Sequence, residues 1–179
     1  MTFVVDGTNG LTFNDATTQS STATNASNIS SGTLGKARLP TGSVLQVVQG
    51  TYTTLFSTQS TTMIDTGLTA SITPTSASSK ILVTISSQGF VAYASGSGDF
   101  LTNIVRGSTE LIKQKSQITY VGQSYFGAFP QYLDSPATTS STTYKLQASV
   151  GSSANTLYFT WPPSSGVSTA TITLMEISA

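Results

Sequence analysis

The sequence predicts an all-β fold of antiparallel strands, and three observations support this prediction. Ser and Thr together number 61 of the 179 residues, and the hydrophobic residues, 37% of the chain, include many Val, Ile, Leu, Phe and Tyr. These residue types suit pleated, half-buried surfaces. Apolar runs are short, and turn-forming residues separate them at short intervals, which is typical of a sandwich or a barrel. No stretch has a convincing helical period.

The composition changes near residue 43 and divides the chain into residues 1–43 and 44–179. Between Asp6 and Gly42 the chain is rich in Thr, Ser, Asn and Gly, with no strand or helical period. Alone, this segment could not bury enough apolar surface to offset the entropy lost on ordering. We therefore expect an extended segment that is either flexible or ordered against other chains. Its isolated apolar residues are the candidates for such contacts: Leu11, Phe13, Ile29, Leu34 and Leu39.

Residues 44–179 are expected to form roughly ten short strands. The strongest is residues 80–86, where Ile, Leu and Val are dense enough to bury one face and part of the other. Residues 100–105 and 109–112 should form a hairpin, and residues 142–150 and 168–177 alternate apolar with polar side chains. The other strands are predicted at residues 44–48, 52–58, 61–68, 70–73, 89–94, 117–121, 123–129 and 156–161.

The length after residue 43 is sufficient for a jelly-roll sandwich of eight to ten strands with a modest core. The last strand would be a hazardous edge if left free, so we expect it inside a sheet. Arg106 lies in an apolar run near the hairpin turn. If Arg106 is buried, it needs a carboxylate, and Asp99 and Glu110 are close in sequence.

The sequence favours a structural or binding role over catalysis. It contains no His and no Cys, which most often act as nucleophile, general base or metal ligand near neutral pH. No Gly-x-Ser-x-Gly elbow occurs, and none of the seven carboxylates has calcium-loop spacing. We therefore expect no enzyme, no metal site and no cofactor. Two distant carboxylates could still form a glycosidase pair, which leaves that alternative open.

The charge pattern limits the partners. The formal net charge is zero, and without a basic stripe we expect no nucleic-acid partner. No apolar run approaches the ~20 residues of a membrane helix, and the N-terminus lacks a secretory signal pattern, so we expect no membrane insertion. Because the net charge is near zero, electrostatic repulsion between copies of the chain is weak, and we expect the chain to self-associate.

The aromatic residues are the candidate binding site. Exposed rings would offer a stacking surface for sugars or for another protein, whereas buried rings would fill the core or a subunit interface. Both interpretations stay open at the level of sequence. The residues predicted for this site are Tyr125, Phe126, Phe129, Tyr132 and Trp161.

Several segments resemble fibre and appendage proteins of tailed bacteriophages. Residues 10–20, with the sequence GLTFNDATTQS, look like a signature that is common in phage tail fibres. Residues 28–34 and 37–47 are similar to the fibre-to-knob junction of those proteins. The segments that resemble their C-terminal domain are residues 78–83, 100–108 and 171–177.

The resemblance implies a homotrimer on the surface of the phage virion. It implies that residues 1–43 contact other copies or other virion proteins, in the tail or the capsid, as an anchor. Residues 44–179 would form a knob for host-surface attachment to glycans, a jelly roll similar to the tumour necrosis factor and complement-head trimers. Because many such fibres are much longer, a capsid cement protein or a head fibre is the alternative. A polysaccharide depolymerase is the alternative from a different functional class.

Overall fold

A computed structural model describes two units, Met1–Arg38 and Leu39–Ala179. The described residues are 4–6, 10–12, 18–19, 35, 38–92, 98–118, 123–128, 130–160 and 168–179. The division falls after Arg38, five residues before the compositional boundary.

The first unit contains a small antiparallel sheet. Its strands are β1 (Val4–Asp6), β2 (Gly10–Thr12) and β3 (Thr18–Gln19), and β2 pairs with both of the others. The sequence does not predict these strands, because strands of two or three residues are too short to show a period.

The second unit consists of antiparallel strands, and the described residues contain no α-helix. The strands are β4 (Val44–Tyr52), β5 (Phe56–Thr58), β6 (Ile64–Ile72), β7 (Lys80–Ala92), β8 (Gly98–Arg106), β9 (Thr109–Ile118), β10 (Gln123–Ala128), β11 (Gln131–Asp134), β12 (Thr142–Val150), β13 (Thr156–Phe159) and β14 (Ala170–Ile177). The predicted all-β fold of antiparallel strands is confirmed.

The strands form two sheets that pack face to face. In the first sheet, β7 is central: β10 and β11 follow one of its edges in a single register, and β13 and β14 follow the other. β4 lies beyond β14, and β5 lies beyond β13. The second sheet has the order β6-β12-β8-β9. The predicted hairpin is therefore β8–β9, and the last strand lies inside a sheet, as expected.

The buried core lies between the two sheets and follows the alternation expected from the sequence. On β12 the inward side chains are Tyr144, Leu146, Ala148 and Val150, and all four are buried. The larger core cluster combines residues of both sheets, including Ile85 and Ile104. A second cluster around Phe100 and Phe159 fills the other end of the sandwich.

A buried cluster of polar side chains joins the sheets and corrects the partner expected for Arg106. Arg106 Nη1 donates to both carboxylate oxygens of Asp134, at 2.9 and 2.7 Å. The Tyr144 hydroxyl donates to Asp134 Oδ2 at 2.7 Å. Burial and the Asp134 carboxylate raise the pKa of Tyr144 well above its usual value of 10, so the hydroxyl remains a donor.

The prediction that Asp99 or Glu110 would pair with Arg106 was wrong. Asp99 pairs with Lys115, and Glu110 pairs with Lys113. Arg106 and Asp99 are an odd number of residues apart on β8, so their side chains point to opposite faces of the sheet. Arg106 points into the sandwich, and its carboxylate partner, Asp134, lies on β11 of the facing sheet.

A second buried carboxylate, Glu176 on β14, is held by hydrogen bonds. Gln46 Nε2 donates to its Oε2 at 2.6 Å, and the backbone N–H and the hydroxyl of Thr75 donate to Oε1, both at 2.7 Å. Burial alone would raise the pKa of Glu176, but these hydrogen bonds outweigh burial and hold the pKa below its ordinary value of 4.5.

This geometry predicts an acid-sensitive contribution to stability. Because the folded-state pKa of Glu176 is lowered, its carboxylate stabilises the fold fully above pH 4.5, and this stabilisation is lost as the pH falls through the folded pKa. We expect Glu176→Gln to be less stable than the wild type at pH 7 and to lose less stability on acidification. Urea unfolding at several pH values measures both effects. Identical acid slopes for the two proteins would contradict this assignment.

Candidate functional site

The outer face of the first sheet, which points away from the second sheet, carries a row of apolar side chains across four strands. Leu133, Leu82, Met175 and Val47 are neighbours in register on β11, β7, β14 and β4. We call these four residues the apolar row. Val47 is 57% exposed and Leu133 is 50% exposed. Val44, beside Ile177 on the same face, is also exposed.

A polar band lies next to the apolar row on the same face. Its residues, again in register, are Gln131, Thr84, Thr173 and Gln49. Gln49 Nε2 donates to Thr173 Oγ1 at 3.0 Å, which places the two side chains on one face. The band interrupts the apolar surface with groups that can hydrogen-bond to water or to a partner.

Three aromatic residues lie side by side at the other end of this face. Tyr125, Phe90 and Tyr158 are register partners on β10, β7 and β13, and we call them the aromatic ladder. The rings of Phe90 and Tyr158 are stacked, with centroids 4.4 Å apart and an angle of 5° between planes. The Tyr125 ring lies 5.8 Å from that of Phe90 and is 67% exposed.

A groove of about 370 Å³ runs beside Tyr125. It is lined by Gln88, Gly89, Tyr125, Phe126 and Gly127. None of these residues carries a charge at neutral pH. The groove therefore combines an aromatic wall with an amide side chain and two stretches of bare glycine backbone.

The charged residues of the two sheets are distributed unequally. The strands of the first sheet contain Lys80, Asp134 and Glu176. Asp134 and Glu176 are buried, which leaves Lys80 as the charged residue of its outer face among the described strand residues. The second sheet presents three ion pairs on its outer face: Lys145–Asp65, Lys113–Glu110 and Lys115–Asp99. Charge depletion is a property of interface cores, so the first sheet is the candidate contact surface.

The structure describes three of the five aromatic residues predicted for the binding site, and their rings do not point to one face. Tyr125 is exposed, whereas Phe126 packs inward. The centroids of the Phe126 and Phe100 rings are 4.1 Å apart. Tyr132 packs against the larger core cluster. Phe129 and Trp161 lie outside the described residues. Of the described members, Tyr125 is the one whose ring is exposed on the outer face.

Phe90 and Tyr158 belong to the ladder but were not predicted as site residues. No pattern in the sequence distinguishes them, because their meeting with Tyr125 depends on the pairing of β13, β7 and β10. The ladder is a product of strand register, which cannot be read from the sequence alone.

The residues predicted for anchor or trimer contacts lie mostly outside the described residues. Leu11 belongs to β2, where its backbone pairs with Val5 and Gln19. Leu39 is half-buried just before β4. Phe13, Ile29 and Leu34 lie outside the described residues. The contact role of these five residues stays a prediction.

The carboxylates whose side chains are described all have partners. Asp65 accepts hydrogen bonds from Lys145 and Gln147, and the remaining four take part in the pairs and networks given above. None of them lines the groove. Within the described ranges, no group of three acidic side chains is arranged to hold a metal ion. Those ranges also include no helix of the length and hydropathy needed to cross a membrane.

Comparisons with known proteins give only distant structural similarities. No protein-family model matches the sequence, and no curated protein matches it. The chain is similar to one in the structure of infectious bursal disease virus, Gx strain, with a TM-score of 0.39 and 14% identity, over 84% of this chain and 43% of that one. A chain of the T13 particle of that virus gives a TM-score of 0.40 and 13% identity, over 83% and 40%.

A third similar structure is dimeric latent PorU from Porphyromonas gingivalis. Its TM-score is 0.38 and its identity 9%, over 78% of this chain and 14% of that one. The chain spans less than half the length of each of these three chains. Similarities at this level do not assign a function to the chain.

Proposed function

We propose that this protein is a non-enzymatic structural component of a tailed-phage virion. It assembles as a homotrimer, its N-terminal segment anchors it to other virion proteins, and its C-terminal sandwich is a knob for attachment to the host surface. The proposal builds on the resemblance of residues 10–20, 28–34 and 37–47 to phage fibres. In this proposal the primary role of the protein is attachment, not catalysis.

The observation that carries the proposal is the apolar row, on a face where the described strand residues form no ion pair. Val47 and Leu133 each expose half or more of their surface, and Val44 is exposed on the same face. A patch of exposed apolar side chains on a folded protein often marks a site of contact with a partner. A second copy of this chain is the partner that we assign to the apolar row, because the chain carries almost no net repulsion between copies.

The strand order supports a jelly-roll knob. If β4 with β5, β10 with β11, and β13 with β14 are each counted as one interrupted strand, each sheet is four strands wide. Successive strands then alternate between the sheets, except at the β8–β9 hairpin. Such alternation fits a double-sheet jelly roll, an architecture found in viral capsid and lectin domains.

Labelling of phage particles tests the proposed location. We expect antibodies against residues 44–179 to label the tail of purified particles in electron micrographs. The matched control is a particle that carries a deletion of the gene for this chain, which should show no label. Label on the head alone would instead favour a capsid cement protein or a head fibre, and particles without label would contradict a virion role.

An assay of the purified protein on host polysaccharide tests the non-enzymatic role. The purified protein should bind the polysaccharide without releasing reducing ends. Release of reducing ends that disappears when one carboxylate, such as Glu110, is changed to Gln would establish a depolymerase and contradict the proposal.

A further inference from the structure

We propose that the aromatic ladder and the adjacent groove bind a neutral pyranose ring of a surface polysaccharide. This inference rests on the proposed attachment function, and it assigns that function to named residues and a class of ligand. Tyr125, Phe90 and Gln88 are the residues that carry it.

The exposed ring of the ladder is braced by its neighbours. Phe90 is only 7% exposed because the rings of Tyr158 and Tyr125 lie against it. The Tyr125 ring is tilted by 37° relative to Phe90. A braced aromatic side chain loses little conformational entropy when a ligand stacks on it, so its contact area contributes efficiently to affinity.

The groove complements a sugar that has an apolar face and a hydrogen-bonding rim. Tyr125 offers a flat apolar surface, and Gln88 offers an amide with both donors and an acceptor. Gly127 pairs with Gln88 in register and has no side chain to fill the groove. Its volume of about 370 Å³ lies in the range of small-molecule sites.

The described residues that line the groove carry no charged side chain, and this selects a neutral ligand. The lining of Gln88, Gly89, Tyr125, Phe126 and Gly127 contains no Lys or Arg to pair with a phosphate or a carboxylate. It also contains no carboxylate for an amino sugar that carries a free ammonium group. An uncharged pyranose can stack its apolar face on the tyrosine ring without burying a charge.

The position of the ladder separates this site from the proposed subunit contact. The ladder and the apolar row cross β7 at Phe90 and Leu82, eight residues apart, which is about 26 Å along a strand. The polar band lies between them. Substitutions in the ladder and in the apolar row therefore test the two roles independently.

Saturation-transfer difference NMR of the full chain tests the site. The probes are the methyl glycosides of glucose, galactose, mannose and rhamnose, each at millimolar concentration. We expect transfer to the ring C–H protons of at least one glycoside, and we expect Tyr125→Ala to weaken its binding about tenfold. Tyr125→Phe keeps the ring and should retain most of the binding. Gln131→Ala, on the polar band, is the matched control and should leave it unchanged.

Native mass spectrometry of the same samples gives the mass of the assembly. This measurement distinguishes a failure of the sugar site from a failure of the proposed trimer. Tyr125→Ala should keep the mass of the wild-type assembly. Transfer to none of the glycosides, or unchanged transfer in Tyr125→Ala, would overturn the sugar site and leave the trimer standing. Loss of the assembly in Tyr125→Ala would show that the ladder joins subunits, and this result would also overturn the sugar site. A monomer that still binds sugar through Tyr125 would refute the trimer alone.

Discussion

Replacing Asp134 with alanine is expected to lower the free energy of unfolding by about 3 kcal/mol. The carboxylate is the acceptor for both Arg106 and Tyr144, which belong to the opposite sheet. Its loss leaves a guanidinium and a hydroxyl inside the sandwich without their acceptor. The expected effect lies at the lower end of the range for broken buried ion pairs, because the Arg106 side chain is 27% exposed and water can reach it.

Two further variants show whether the effect comes from the buried cluster. Tyr144→Phe removes one hydroxyl and should cost about 1 kcal/mol. Asp65→Ala breaks a pair with Lys145 on the outer face and should cost about 1 kcal/mol or less. Urea unfolding at one fixed protein concentration measures all three variants. Asp134→Ala would contradict the account if it lost no more stability than Asp65→Ala.

The combined substitution of Val47→Asp and Leu133→Asp is expected to dissociate the proposed trimer. Both residues belong to the apolar row and are exposed in the isolated chain, so the substitutions should not disturb the fold of a single subunit. In the assembly, each copy would bring two carboxylates into an apolar contact, where unpaired charge costs several kcal/mol. We expect the dissociation constant to rise about a hundredfold or more.

Ser71→Asp is the control for this substitution. Ser71 is exposed on β6, on the outer face of the second sheet. The control should keep the mass of the wild-type assembly, whereas the combined variant should have the mass of one chain. Circular dichroism confirms that each variant is folded. A folded combined variant with the wild-type mass would show that the apolar row is not the subunit contact.

The sequence was sufficient to predict the class of fold and the buried faces of its most regular strands. Alternation with a period of two identified Tyr144, Leu146 and Val150 as inward residues, because successive side chains of a strand point to opposite faces. The same rule separates Tyr125 from Phe126. Successive side chains of a strand point to opposite faces, so Tyr125 and Phe126 do not present their rings on one face.

Features that depend on pairing between distant segments could not be predicted. Asp134 is 28 residues from Arg106 and lies in the facing sheet, so proximity in sequence indicated the wrong partners. The apolar row has the same origin. Leu82 lies between the buried Ile81 and Val83, and Leu133 lies between the partly buried Tyr132 and the buried Asp134. Only the register shows that the two leucine side chains lie together on the outer face.

The mass of the full chain in solution tests the central claim most directly. Sedimentation equilibrium at micromolar concentration should give three times the 18.6 kDa of one chain. A single chain mass at every concentration would contradict the proposal that this protein works as a homotrimer.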